Sequence, residues 1–210
     1  MLTKKFDEID WDVQWATHAR GYREGYLHVD LQEMTGSSTA LPLLKLKPGP
    51  GFGDLSHPTT RLVLRLMSSV VRHKHVLDVG CGSGILSFAA SAMGAASVCG
   101  IDIDDQALIH SRLNSTENGM SISFMRPEEY CLQTVLKPTL PKNILMNMIQ
   151  SEQCVAWNSL TPVHSSVTGV ISSGILADDH QDYLKLCREW GWSLAESAEE
   201  DGWMAFRFFV

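Results

Sequence analysis

The sequence lacks the cysteine pattern of a metal-binding or disulfide-stapled protein. Its 210 residues include five cysteines, which are scattered, odd in number and never spaced as C-x-x-C, so we expect neither a zinc site nor a disulfide framework. The first residues have no apolar core of a signal peptide, and no apolar run is long enough to span a membrane. These absences predict a cytoplasmic protein without a membrane partner.

An excess of positive charge is also missing. The formal net charge is −7, which gives nucleic acid no electrostatic support as a partner. The charge favours a basic protein substrate only weakly, and solubility is its simpler explanation. The sequence has no internal repeats, and its length is that of one domain with a short appendage. We place the appendage at residues 1–50 and the main domain at residues 51–210.

Residues 75–104 contain the strongest motif in the chain. A short apolar strand ends at Val79, a turn and an apolar helix follow, and a second strand leads to Asp102. The turn carries three residues without a Cβ atom that would block an approaching ligand: Gly80, Gly82 and Gly84. In such a β-α-β unit, an acid placed like Asp102 reaches a pair of ribose hydroxyls.

The turn lacks the third glycine of the dinucleotide fingerprint G-x-G-x-x-G, because Ile85 occupies that position. Asp78, just before the turn, would be a poor neighbour for a pyrophosphate but could meet a ligand amino group directly or through water. Both differences favour S-adenosylmethionine, which carries an amino-acid moiety and no phosphate. A nucleotide site and a purely structural turn are the alternatives.

The N-terminal segment is predicted to be a helix followed by a ribbon of two strands. The helix would pack through Trp11 and Trp15, and residues 27–31 and 41–46 would form the ribbon, with a loop at residues 35–39 between them. The loop at residues 48–53, rich in glycine and proline, is either a linker or a segment that folds over the ligand.

Two polar residues flank the motif along the chain. Thr60 lies in the first turn of a helix that Ser56 or His57 caps, where it either stabilises the helix or meets a polar ligand. Asn147 lies near the end of a buried strand at residues 143–149, and ligands sit beyond such strand ends. The order of elements predicts a doubly wound, Rossmann-like α/β sheet with an antiparallel hairpin at the C-terminus.

Several stretches together resemble the methyltransferases of large-subunit ribosomal protein eleven, the PrmA family. They are His57-Pro-Thr-Thr60, Leu77 to Leu86 around the glycine turn, Gly100-Ile-Asp-Ile-Asp104, Asn118-Gly119 and Ser173-Gly-Ile-Leu176. The resemblance implies a seven-stranded methyltransferase sheet that binds S-adenosylmethionine. It also places Thr60, Gly80, Asp102 and Asn147 on the family's cofactor-binding positions, to which the motif adds Asp78, Gly82 and Gly84.

The activity implied by the resemblance is methylation of protein amino groups, on lysine side chains or an N-terminus, with a ribosomal protein as one candidate substrate. Asn147 and the loop Phe52–Thr60 would border the methyl group, and no side chain stands out as a general base. The alternatives are a non-catalytic cofactor-binding scaffold and a small-molecule methyltransferase. A nucleic-acid amine is disfavoured, because no Asn-Pro-Pro-Tyr-like motif begins at Asn147.

The chain departs from the family pattern in three places. Leu55 stands where the family has a glycine, and Pro141-Lys142 replaces a Phe-Asp pair before the fourth strand of the sheet. The family also carries a separate N-terminal substrate-recognition domain, and this sequence begins about where that domain ends.

Overall fold

The computed structural model describes residues 9–36, 38–135 and 140–210. The predictions for residues 1–8 of the N-terminal helix and for Ser37 of the loop at residues 35–39 lie outside these ranges.

A seven-stranded sheet forms the centre of the fold. Its strands are β4 (His75–Val79), β5 (Ser97–Ile101), β6 (Ser123–Met125), β7 (Lys142–Asn147), β8 (Val167–Leu176), β9 (Ser193–Glu200) and β10 (Trp203–Phe209). They lie side by side in the order β6-β5-β4-β7-β8-β10-β9. The first five run parallel, while β10 pairs antiparallel with both β8 and β9. The predicted doubly wound sheet with a C-terminal hairpin is therefore confirmed.

The strand order reverses between β4 and β7, and this reversal positions the site. From β4 the chain first builds outward through β5 to β6, then returns to place β7 on the other side of β4. Val79 is paired with Ile101 of β5 and with Met146 of β7, so the ends of three strands meet here. A crevice outside the carboxyl ends of the strands is expected at such a switch point.

Eight helices pack around the sheets in the described part of the chain. They are α1 (Trp11–His18), α2 (Leu31–Thr35), α3 (Pro58–Met67), α4 (Ile85–Ala92), α5 (Asp105–Glu117), α6 (Pro127–Val135), α7 (Gln150–Ser159) and α8 (His180–Glu189). None of these helices is long and apolar enough to cross a membrane. Short 3-10 turns precede β8 and α8, at Thr161–Ser166 and Ala177–Asp179.

The N-terminal segment forms the predicted ribbon with one addition and one correction. β2 (Tyr26–Asp30) pairs antiparallel with β3 (Leu43–Leu46), and β1 (Tyr22–Arg23), which was not predicted, pairs with β2. Leu31, predicted to end the strand, begins α2 instead, because the Asp30 carboxylate caps the helix by accepting hydrogen bonds from the amides of Gln32 and Glu33.

Alternating strand residues divide the core into two layers, as a pleated sheet requires. Val76 joins the cluster that contains Trp15 and Leu46 of the N-terminal segment together with α3 and α4. Leu77 joins the opposite cluster, formed with α7, α8 and β10. The N-terminal segment thus shares a core with the main sheet, and the boundary at residue 50 stays a prediction.

Candidate functional site

A cavity of about 890 Å³ opens at the carboxyl ends of β4, β5, β7 and β8. This is the size of a small-molecule or cofactor site. Its lining comes from the loop before α3, the glycine turn, the end of β5, the start of α6, and the segment from β7 into α7. Four of the predicted site residues line it: Gly80, Gly82, Asp102 and Asn147.

The glycine turn needs its glycines for two different reasons. Gly80 and Gly82 have φ of 69° and 54°, a region that other residues rarely adopt. A Cβ on Gly82 would lie 2.7 Å from the carbonyl oxygen of Phe52, and one on Gly80 would lie 2.6 Å from Cε of Met148. Glycine therefore lets the neighbouring segments close on the turn.

The glycine- and proline-rich loop lies directly on this turn. The amide of Ser83 donates a hydrogen bond of 2.9 Å to the carbonyl of Phe52, and a Cβ on Gly51 would lie 2.5 Å from the amide nitrogen of Ser83. Phe52 lines the cavity while its side chain stays half exposed. Of the two alternatives for this loop, the structure favours a wall of the site over a free linker.

Leu55, which stands where the family pattern has a glycine, adopts a left-handed backbone conformation. Its φ is 64°, and its side chain is buried at 2% exposure. A leucine in this conformation costs free energy, which burial of the apolar side chain offsets. The departure from the family pattern therefore falls at a position where the backbone conformation itself favours glycine.

The Asp102 carboxylate is oriented by two backbone amides. Oδ2 accepts from the amide of Gly82 at 3.0 Å, and Oδ1 accepts from the amide of Asp104 at 3.0 Å. Each carboxylate oxygen can accept more than one hydrogen bond, so both remain able to meet a ligand donor. Asp102 therefore holds the amide of Gly82 within the turn and also presents its carboxylate to the cavity.

Thr60 and Asn147 meet although they are distant in sequence. The Asn147 amide nitrogen donates to Oγ1 of Thr60 at 3.2 Å. Thr60 is buried at 1% exposure and does not line the cavity, whereas its neighbour Thr59 does. Thr60 is therefore placed to orient Asn147, whose side-chain oxygen has no hydrogen-bond partner among the described residues and could accept from a ligand.

Asp78 and Gly84 lie behind the turn and not on the cavity wall. Asp78 is fully buried and accepts a hydrogen bond of 2.7 Å from the hydroxyl of Ser87. Burial raises the pKa of Asp78 to about 7, with the nearby Asp102 charge adding to the rise. Gly84 precedes α4, where a Cβ would lie 2.6 Å from Cζ of Phe88. Direct cofactor contact by these two residues stays a prediction.

Sequence reasoning missed the aromatic side of the cavity. Trp203, the first residue of β10, lines it and packs edge-on against the His57 ring, with centroids 4.6 Å apart. Burial, with the neighbouring Arg61 charge, lowers the pKa of His57. Nothing in the sequence around Trp203 signals this role, because its position depends on pairing with Leu176 of β8.

Gly174, which belongs to the family-like stretch Ser173–Leu176, shapes the cavity. A Cβ at this position would lie 2.3 Å from the carbonyl oxygen of Met148. Glycine lets the segment after β7 press against β8, so that Asn147, Met148 and Ile149 form one wall. A glycine at the end of a predicted strand was the available signal for a close approach.

Apolar and acidic residues near the end of β5 and on α5, α6 and α7 also line the cavity. The apolar residues are Ile103, Ala107, Pro127 and Val155, and the acidic residues are Asp104, Glu128 and Glu152. Apolar walls beside a carboxylate such as Asp102 suit a flat heterocycle attached to a hydroxylated sugar. Among the described residues, no group of three His, Cys, Asp or Glu side chains could hold a metal ion.

In comparisons with known proteins, the chain is similar to one family of methyltransferases. The model of the family described as ribosomal protein L11 methyltransferase (PrmA) matches residues 1–209. The ribosomal protein L11 methyltransferase of Chromobacterium violaceum is 35% identical over 162 residues, which are 76% of this chain and 52% of that protein. The protein of the same name from Tolumonas auensis is 30% identical over 208 residues, 94% of this chain and 67% of that protein. Among the first relatives, the chain spans about half of their length.

Solved structures show the same fold. The crystal structure of ribosomal protein L11 methylase from Lactobacillus delbrueckii subsp. bulgaricus matches with a TM-score of 0.64 and 26% identity, covering 78% of this chain and 82% of that one. TrmK of M. capricolum, solved in complex with S-adenosyl-homocysteine, matches with a TM-score of 0.51 and 11% identity over 69% of this chain and 66% of that one. At that identity the second likeness concerns the fold alone.

Proposed function

The chain belongs to the ribosomal protein L11 methyltransferase (PrmA) family, and from this premise we propose that it transfers a methyl group from S-adenosylmethionine to an amino group of a protein. The observation that carries the proposal is the convergence of the glycine turn, Asp102 and Asn147 on one cavity. These residues come from three neighbouring strand ends, which is the arrangement that a cofactor with three chemically different parts requires.

The lining fits the three parts of S-adenosylmethionine. Asp102 would accept hydrogen bonds from the ribose hydroxyls, because its carboxylate is already oriented by the amides of Gly82 and Asp104. The apolar part of the lining that includes Ile103 and Pro127 would hold the adenine. The methionine moiety would lie along the turn at Gly80, where no Cβ intervenes. Asp78 and Gly84 would support this turn from behind.

When bound, the cofactor supplies a methyl group on a positively charged sulfur. The chain would then bring an amine nitrogen into line with the methyl carbon and keep water away, since an in-line displacement depends mainly on positioning. Phe52, Trp203 and Ile149 form apolar walls on the side of Asn147. The Asn147 carbonyl oxygen, held in place by Thr60, would accept a hydrogen bond from the amine and direct its lone pair.

The substrate side of the proposal rests on the family. We infer that the substrate amine belongs to a ribosomal protein, on a lysine side chain or an N-terminus, and that the reaction takes place in the cytoplasm. The residues from 51 onward would carry the cofactor-binding domain, and residues 1–50 the segment that leads into it. An acidic chain with net charge −7 favours a protein partner over nucleic acid.

A labelling experiment tests the proposal directly. The purified chain is incubated with radiolabelled S-adenosylmethionine together with cell extract or, in a parallel reaction, together with purified ribosomal protein L11. The modified residue is then identified by mass spectrometry. Label on a lysine or N-terminal amine supports the proposal. Cofactor binding without transfer to any protein would instead indicate a cofactor-binding scaffold, and label confined to small molecules would indicate another substrate class.

A further inference from the structure

A buried arginine connects the loop over the glycine turn to the C-terminal hairpin. Arg61 lies in the first turns of α3 and is 8% exposed. Its Nη1 donates to the carbonyl of Leu55 at 2.7 Å and to the carbonyl of Ser56 at 3.3 Å. The Nη1 nitrogen of the guanidinium therefore binds the backbone of the loop.

The other edge of the same guanidinium binds the turn between β9 and β10. Nε and Nη2 of Arg61 lie 2.6 Å and 2.5 Å from Oε1 of Glu200, and Nη2 also lies 3.5 Å from Oδ2 of Asp201. Arg65, one helical turn further along α3, pairs with the second oxygen of Glu200. Because the pair between Arg61 and Glu200 is largely buried, solvent screens it less than an exposed ion pair.

The loop needs such a connection because its backbone is strained at Leu55. With φ of 64°, the Leu55 conformation is one that a leucine leaves readily unless its surroundings hold it. The contact with Arg61 fixes the carbonyl of this residue. Three residues earlier, the same loop accepts the Ser83 amide through Phe52, so a shift at Leu55 would disturb the contact with the glycine turn.

We propose that Arg61 is a positioning residue, which with Glu200 clamps the Phe52–His57 segment over the glycine turn and so prepares the cavity to bind the cofactor. The loop and the turn of the hairpin are far apart in sequence, and Arg61 joins them by hydrogen bonds at both edges of one planar group. Lysine could not replace it, because an ammonium lacks this fork of donors. The cofactor part of the inference rests on the proposed function, whereas the clamp does not.

Two measurements on the whole chain test the clamp. Calorimetry with S-adenosylhomocysteine gives the affinity, and amide hydrogen exchange at Ser83 reports whether the loop still covers the turn. In Arg61→Met and Arg61→Lys we expect the dissociation constant to rise about tenfold or more and the Ser83 amide to exchange faster. Glu200→Gln, which keeps the shape of the side chain, should give a smaller change in the same direction.

Arg207 and Glu196 supply the matched control, since they form an ion pair of 3.2 Å on the same hairpin away from the cavity. Arg207→Met and Glu196→Gln should alter neither measurement. If Arg61→Met does not fold, Glu200→Gln and Arg61→Lys decide the question. Unchanged affinity and unchanged Ser83 exchange in the folded variants would overturn the inference. If the wild-type chain binds no cofactor, the proposed function fails, and the exchange measurement still decides whether the clamp exists.

Discussion

Asp102 offers the sharpest test of the site, through the substitution Asp102→Asn. The wild-type carboxylate has two acceptor oxygens, each occupied by one backbone amide, from Gly82 and Asp104. Asparagine keeps one acceptor oxygen and replaces the other with an amino group, which would face a backbone N–H as donor against donor. The substitution therefore removes negative charge from the proposed ribose contact and weakens the support of the glycine turn.

The expected size of the effect follows from the bonds that are lost. A hydrogen bond to a charged group contributes about 1.5–3 kcal/mol, and about 1.4 kcal/mol corresponds to a tenfold change in affinity. Losing the charged acceptor for one ribose hydroxyl would weaken binding by roughly ten- to a hundredfold. Because a misplaced turn adds to this loss, we expect the dissociation constant to rise by about a hundredfold.

Titration calorimetry with S-adenosylhomocysteine measures this change without any chemical step. Asp105→Asn is the matched control, because Asp105 is exposed, pairs with Arg126 and does not line the cavity. Urea unfolding of both variants separates loss of binding from loss of the fold. A dissociation constant for Asp102→Asn within about twofold of the wild-type value, in a folded protein, would refute the role assigned to Asp102.

Three further predictions concern residues around the turn. Gly82→Ala should abolish measurable cofactor binding in calorimetry, because the added Cβ would lie 2.7 Å from the carbonyl oxygen of Phe52 at a φ of 54°; retained affinity would contradict the packing. Thr60→Val removes the acceptor that orients Asn147. The rate of methyl transfer in steady-state kinetics should therefore fall about tenfold, while the affinity for the cofactor changes little. The pKa of Asp78 is raised from 3.8 to about 7 in the folded chain, so ionisation of Asp78 makes the free energy of unfolding fall as pH rises from about 4 to 7. Asp78→Asn should remove this pH-dependent loss, which reaches roughly 4 kcal/mol at pH 8, as urea unfolding would measure. An equal effect of the substitution at pH 4 and pH 8 would contradict the prediction.

Local sequence determined the central unit of the fold. The run from His75 to Asp102 contains a strand, a turn, a helix, a strand and an acid, and each is specified by residues that are neighbours in the chain. The positive φ of Gly80 and Gly82 follows from their residue type. Capping of α5 by Asp104 is also local, because its side chain accepts from the amide two residues further along the chain. These features required no knowledge of distant contacts, so they could be predicted.

The predicted strand end at Leu31 was wrong because two local signals competed there. Alternating apolar residues extended the predicted strand to Leu31, but the capping carboxylate of Asp30 began a helix there. Periodicity describes which face a residue occupies, whereas a cap determines where an element stops. Boundaries decided by such competition are the least certain part of any assignment from sequence.

One stretch of sequence encodes the glycine turn and Asp102, whereas the contacts among the residues around them depend on tertiary structure. Asn147 reaches Thr60, the loop at Phe52 covers Ser83, and Trp203 enters the cavity only because β7, β8 and β10 pair in a particular register. Such contacts depend on how whole elements pack and not on the residues beside them in the chain. The sequence by itself therefore identified the glycine turn, its acid and Asn147 as candidates, and the packing of the sheet decided which further side chains, such as Trp203, line the same cavity.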